Sequence, residues 1–220
     1  MDEILISYLS SRYFKLLFKK RTIYPQPAAI YGRVLPFPSL FMKSEILATD
    51  VHYVVSNFDN QKYLVRQLDD SSDAANLLAK IRQNLATLTD YLKTTYPQDD
   101  RVQRLLERFN PNNIMETDGN SKYTSYSVNK GEKLVLCLRY RDGTNRLVDL
   151  NTIMFVTLHE YTHILTKSVG HTDEFWDNFK FILKNAIKLH LYKCIDYEAS
   201  PQKYCGIEVN NSPLKCSDIN

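Results

Sequence analysis

Apolar residues recurring at steps of three and four, and elsewhere at steps of two, divide this chain into helical and strand-like stretches. The longest helical pattern opens at Ser72 and places Ala75, Leu78, Ile81, Leu85, Leu88 and Leu92 on one face until Pro97 stops it. A shorter helix is predicted from Asp100 to Phe109, closed by Asn110-Pro111, so that residues 72–109 form an antiparallel helical pair bracing whatever follows. Upstream, Val51 to Val55 and Tyr63 to Leu68 flank the polar Asn57-Phe58-Asp59-Asn60, which predicts a hairpin. Residues 121–140 change character. Tyr123, Tyr126 and Val128, then Lys133-Leu134-Val135-Leu136-Cys137-Leu138-Arg139-Tyr140, read as one or two strands before Asp142-Gly143 turns the chain. The next stretch, Asn151-Thr152-Ile153-Met154-Phe155-Val156-Thr157-Leu158, is too densely apolar for a surface helix and predicts a buried one over 151–169, with Asn151 as N-cap. After it, Thr172 is placed to cap a helix over 173–191, whose first turn holds Asp173 and Glu174 and whose apolar face carries Phe175, Trp176, Phe179, Ile182, Leu183 and Ile187. The fold class is therefore α+β, helix-dominated, with a small antiparallel sheet beside the 151–169 helix.

That buried helix carries the chemistry. His159 and His163 stand four residues apart, one helical turn above each other, so both imidazoles can reach one metal ion. Glu160 lies one step round the same surface, able to take a proton from a metal-activated water without being a ligand. Catalytic zinc usually keeps three protein ligands, and His171 is the natural third. On an unbroken helix it would lie roughly 12 Å beyond His163, too far to share an ion, at ~1.5 Å rise per residue. The chain must end the helix and double back, and Gly170 is the residue type that ends helices in a left-handed conformation. An acidic third ligand from the C-terminal region, Glu198 or Glu208, is the alternative. Of five histidines, His52 and His190 fall outside this window, and His190 reads as a helix-end residue.

The string His159-Glu160-Tyr161-Thr162-His163, with Gly170-His171 and then Glu174-Phe175-Trp176, resembles the WLM and SprT-like (Spartan-type) zinc metalloproteases, in which a Gly-His or Asn-His followed by an aromatic pair supplies the third ligand. More closely it is similar to metallopeptidase-like proteins of large DNA viruses, in which segments like Lys130-Gly131-Glu132-Lys133-Leu134 and Tyr204-Cys205-Gly206 are expected to recur. The protease-like stretch runs from about Val135 to Leu183. Its seven-residue spacer between His163 and His171 is longer than the metzincin pattern. The resemblance implies a zincin-like domain over 71–220, Zn²⁺ held by His159, His163 and His171, Glu160 as general base, and a protein or peptide substrate, including protein bound or crosslinked to DNA. An edge strand among 121–140 would bind an extended peptide by strand addition. Tyr204 is a candidate donor to the oxyanion of the tetrahedral intermediate, and Arg139 and Arg141 are candidates for a substrate carboxylate or phosphate. The rival reading is a zincin-like binding or virion-structural protein without catalysis, against which Glu160 argues, because such a protein has no chemical need of that carboxylate.

Composition changes this picture little. The chain has 220 residues, 44% of them hydrophobic, as in ordinary globular proteins. No apolar run approaches the ~20 residues of a membrane-spanning helix. A net charge of +3 does not argue for nucleic-acid binding, although Lys15, Lys19, Lys20 and Arg21 cluster near the start. Residues 1–21 repeat Leu5, Leu9, Tyr13, Leu16 and Leu17 at helical spacing. This N-terminal helix packs on the domain or meets a partner or membrane surface. Residues 22–70, rich in proline from Tyr24-Pro25 to Pro36-Phe37-Pro38, form a connector leading into the hairpin. Met1-Asp2-Glu3 lacks the basic start of a secretory signal, so the expected location is intracellular, in host cytoplasm or nucleus, or in the virion. Cys137, Cys194, Cys205 and Cys216 show no metal-binding spacing and are expected to be reduced there.

Overall fold

The computed structural model describes residues 50–219. The N-terminal amphipathic helix and the proline-rich connector fall on residues 1–49, outside the described residues. The described chain begins with a hairpin of β1 (Val51–Val55) and β2 (Lys62–Arg66), paired antiparallel from Val51 opposite Arg66 to Val55 opposite Lys62. β2 turns Tyr63 and Val65 into the same apolar cluster as the helices, so alternate positions of the strand face the core.

Helix α1 (Ser71–Thr95) buries Ala74, Ala75, Leu78, Ala79, Ile81, Leu85, Leu88 and Leu92, the stripe its periodicity predicts. Helix α2 (Asp100–Arg108) follows after Pro97, with Asp99 as N-cap accepting from the Arg101 amide. A strand without clear sequence signal comes next, β3 (Ile114–Glu116), then β4 (Tyr126–Val128) and β5 (Lys133–Leu136). The sheet order is β3-β5-β4. β4 runs antiparallel to β5, as the pattern predicts, and β3 adds a parallel partner on the other side. Three residues are too few for alternation to show, which is why β3 escapes sequence reading.

Helix α3 (Leu150–Leu165) is buried nearly all round, with thirteen of its sixteen residues inaccessible. Its N-cap is Asp149, whose side chain accepts from the Thr152 amide at 2.9 Å, and not Asn151. Asn151 instead grips the chain after the last helix, donating to the Lys193 carbonyl and accepting from its amide. Both residues suit a cap, and the extended backbone at Asp149 decides between them. The helix also ends earlier than predicted, at Leu165 with Thr166 as C-cap. Gly170 is left-handed, at φ +83°, but sits in the turn beyond the helix end. Helix α4 (Asp173–Lys188), capped by Thr172, packs along α3. A hairpin of β6 (Gln202–Tyr204) and β7 (Ile207–Val209) and a short 3-10 turn, Cys216–Asp218, complete the chain.

The cysteines correct the expectation of reduced thiols. Cys137 is bonded to Cys205 and Cys194 to Cys216, with Cα separations of 6.1 and 5.8 Å. The partners lie 68 and 22 residues apart, so only the fold brings Cys205, at the hairpin turn, to Cys137, just beyond β5. No helix among the described residues is long and apolar enough to cross a membrane.

Arg139 and Glu116 form a buried ion pair, 2.8 Å from Nε to Oε1. Asp70 holds a second guanidinium nitrogen at 2.7 Å, and the Arg66 amide donates to the other Glu116 oxygen. Burial raises the Glu116 carboxyl, while the Arg66 amide and Arg139 pull it back. Removing one partner of a buried pair leaves the other charge uncompensated. Arg139→Leu is expected to destabilise the fold by about 3–5 kcal/mol, read as a lower midpoint in chemical denaturation. A loss under about 1 kcal/mol, the range of a surface pair, would contradict this role.

Candidate metal centre

The site grows from the middle of α3. His159 and His163 rise one turn apart on this helix, with ring centroids 5.0 Å apart, and His171 comes back to lie 4.9 Å from each. Nε2 of His171 is 2.9 Å from Nε2 of His159, and one ring nitrogen from each of the three can be chosen so that all lie within 4.8 Å of one another. His159 and His163 are buried and His171 is half-buried. Three ring nitrogens gathered this closely are a donor set that suits a single ion. Nε2 of His163 is buried and has no hydrogen-bond partner among the described residues. Burial, reinforced by the neighbouring imidazoles, holds His159 well below the usual histidine range. Burial, with the charges of His171 and Lys130 adding to it, takes His163 down to about 3. Neutral imidazoles are the form that binds a metal.

Packing from α4 fixes the rings. Phe175 stacks on His163 at 4.3 Å, and Trp176 stacks on His171 at 5.5 Å. Phe175 also meets His159 and His171 edge-on.

The return of the chain to His171 is built by groups that the motif does not include. Arg104 donates to the Leu165 carbonyl at 2.6 Å, and Lys130 Nζ to the Lys167 and Thr166 carbonyls at 2.9 and 3.2 Å. Two cations thus satisfy the acceptor-rich C-terminal end of α3. The Glu174 carboxylate accepts from the Lys167 and Ser168 amides, each at 3.0 Å, and the Ser168 and Thr172 hydroxyls share a hydrogen bond. Asn178 donates to Thr166 Oγ1, which itself donates to the Thr162 carbonyl. Lys130 reaches this end because Asn129, Lys130 and Gly131 all have positive φ. A side chain at Gly131 would press to 2.8 Å on the Arg108 carbonyl and the Ile164 side chain, so only glycine fits there. Sequence reading placed Glu174 as a helix-dipole residue and missed Arg104, Lys130 and Asn178. Arg104 and Lys130 bond to backbone carbonyls, which carry no residue-type signal, and Asn178 bonds to Arg101 and Thr166, 77 and 12 residues away.

Glu160 is buried beside His159. Tyr204 is wholly buried, and its hydroxyl shares a 2.6 Å hydrogen bond with Ser125 Oγ. Burial raises the Tyr204 phenol; the Ser125 contact opposes the rise, and the nearby Glu160 charge adds to it. Glu198 and Glu208 are exposed and do not join the histidine cluster. Arg139 is committed to its buried ion pairs and is not a substrate-binding group. Arg141 donates to the Tyr123 carbonyl at 2.7 Å. β4, an outer strand of its sheet, packs against α3.

The WLM domain family model matches residues 56–215. The uncharacterized protein R325 of Acanthamoeba polyphaga mimivirus is 36% identical over 180 residues, covering 80% of this chain and 91% of that protein. The uncharacterized protein 136R of Invertebrate iridescent virus 6 is 28% identical over 141 residues, covering 61% of this chain and 77% of the relative. Among solved structures, Wss1 from Saccharomyces cerevisiae aligns with a TM-score of 0.42 at 22% identity, over 58% of this chain and 88% of that one.

Proposed function

Since the chain belongs to the WLM domain family of metalloproteases, we propose that it is a zinc-dependent metallopeptidase whose ion is held by His159, His163 and His171 and whose general base is Glu160. The observation that carries the reading is the meeting of three imidazoles from α3 and from the turn that precedes α4, two of them buried and held neutral, with a buried carboxylate one residue from the first. This donor set fits zinc, which takes three protein ligands in catalytic sites and leaves a fourth position open. Bound there, zinc would supply Lewis acidity toward a substrate carbonyl and toward a water.

The protein's own groups do the rest. Glu160 accepts the proton of the attacking water at its carboxylate and passes it to the nitrogen of the departing amine. The edge of β4, outermost among the described strands of its sheet and packed against α3, offers backbone groups to an extended peptide, which would set the scissile bond beside the histidines. Phe175 and Trp176 exclude water from the far side of the rings. Donation from Tyr204 to an oxyanion needs Ser125 to be the donor of the hydroxyl pair they share, so that the phenol proton is left for the substrate.

The relatives' viral origin supports a virus-encoded protein acting within the host cell. The two disulfides favour the particle over the reducing cytosol. Protein associated with DNA is the substrate class to test beside free protein. The experiment is metal analysis of the purified chain with a protease assay on denatured protein, with and without DNA. The expected result is about one zinc per chain, three protein ligands making one site, and hydrolysis that a chelator removes and zinc restores. A metal-loaded protein that cleaves neither substrate would leave the non-catalytic binding reading in its place.

A further inference from the structure

Cys205 and Gly206 form the two-residue turn of the β6-β7 hairpin, at φ +46° and +77°. Two positive φ values suit a tight hairpin turn, but cysteine is a poor residue for the first of them. Each strand has three residues, and a hairpin this short does not hold itself together in water. Its anchors are therefore tertiary. Cys205 is bonded to Cys137, just beyond the end of β5. Ser125 Oγ accepts from the Cys137 amide at 3.0 Å and shares its other hydrogen bond with the Tyr204 hydroxyl. Disulfide, amide and hydroxyl pair thus close one ring of contacts around Tyr204, and β6 packs against α3, the helix of Glu160.

We propose that the Cys137–Cys205 disulfide is a redox latch on the catalytic helix: oxidised, it seats Tyr204 on Ser125 with β6 against α3, and reduced, it frees the hairpin and slows hydrolysis. The inference rests on the metallopeptidase reading above. Tyr204 is here a positioning residue, acting through the packing of β6 on α3, the helix that carries Glu160, without touching substrate. The second disulfide suits the device, because Cys194–Cys216 brackets the hairpin and keeps the segment attached while its centre lifts. Both cysteines of the latch are buried, at 5% and 1% exposure, so the hairpin must open before a reductant enters. One glutathione thiolate then attacks one sulfur and the other leaves as a thiolate. A second glutathione resolves the mixed disulfide. Cys137 and Cys205 finish as thiols and the two glutathiones as their disulfide, a balanced two-electron exchange.

The test equilibrates the zinc-loaded full chain in graded glutathione redox buffers. It reads thiols by alkylation and mass spectrometry, backbone exchange over residues 203–207, zinc content, and kcat and KM. Reduction of Cys137–Cys205 is expected to raise exchange in the hairpin and to lower kcat on the order of 10- to 100-fold, as misplacement of catalytic groups does, with KM and zinc unchanged. Tyr204→Phe should lower kcat with the disulfide intact. Cys137→Ala/Cys205→Ala should behave as the reduced protein whatever the buffer, while Cys194→Ser/Cys216→Ser keeps the response. Equal kcat in the two thiol states, or loss of zinc in step with kcat, overturns the latch. Absence of hydrolysis in both states defeats the peptidase reading and the latch with it, and is told apart from failure of the latch alone by that total loss.

Discussion

Glu160→Gln is expected to keep zinc and fold while reducing peptide hydrolysis by a factor of ~10²–10⁴, the usual worth of general acid–base help. The substitution is nearly isosteric, and Glu160 is buried within α3, so a side chain of the same length preserves the packing. What it removes is the capacity to accept a proton and return it to the leaving amine. The loss should appear in kcat with little change in KM, because an interaction needed only in the transition state does not alter ground-state binding. Turnover near that of the unaltered protein, with metal content equal, would reject the assigned base.

Substitution of His163 acts on the ion itself. His163→Ala is expected to take zinc from about one per chain to near zero after dialysis, since two imidazoles do not make the three-ligand site of catalytic zinc. His163 also stacks on Phe175, so the alanine variant risks a cavity in the core. His163→Gln fills more of that space, and its circular dichroism and melting curve separate a lost ligand from a lost fold. Retention of a full equivalent of zinc by a folded His163→Gln protein would sink the ligand assignment. His171 offers a contrast, because it lies beyond α3 on the return of the chain and is only half-buried. Its removal should weaken binding with less harm to packing.

The stretches that sequence reading recovers are those whose signals are local. Leu78, Leu85 and Leu92 repeat with the helical period, so α1 is legible, and Pro97 marks its end. Thr172 before Asp173 and Glu174 announces α4 in the same way. Boundaries fare less well where two residues compete for one role: Asp149 and Asn151 are both good caps, the extended backbone falls at Asp149, and Asn151 is taken up by Lys193, forty-two residues away. Arg139 reads as a substrate-binding cation at a strand end, and only the fold shows it turned inward to Glu116 and Asp70.

The sequence by itself determined the pairing of His159 with His163 and the place of Glu160 between them, because an α-helix fixes the direction of residues four apart whatever surrounds it. It also determined that the helix is buried, since an apolar surface on nearly every side leaves no face for water. Tertiary structure alone decided how His171 returns, through Arg104, Lys130 and Glu174 holding backbone groups of the 165–168 turn. It also decided that Cys137 meets Cys205 and that Tyr204 stands within the field of Glu160. These contacts join segments tens of residues apart or engage peptide groups common to every residue, so no local pattern can encode them; they exist only once the core has brought the segments together.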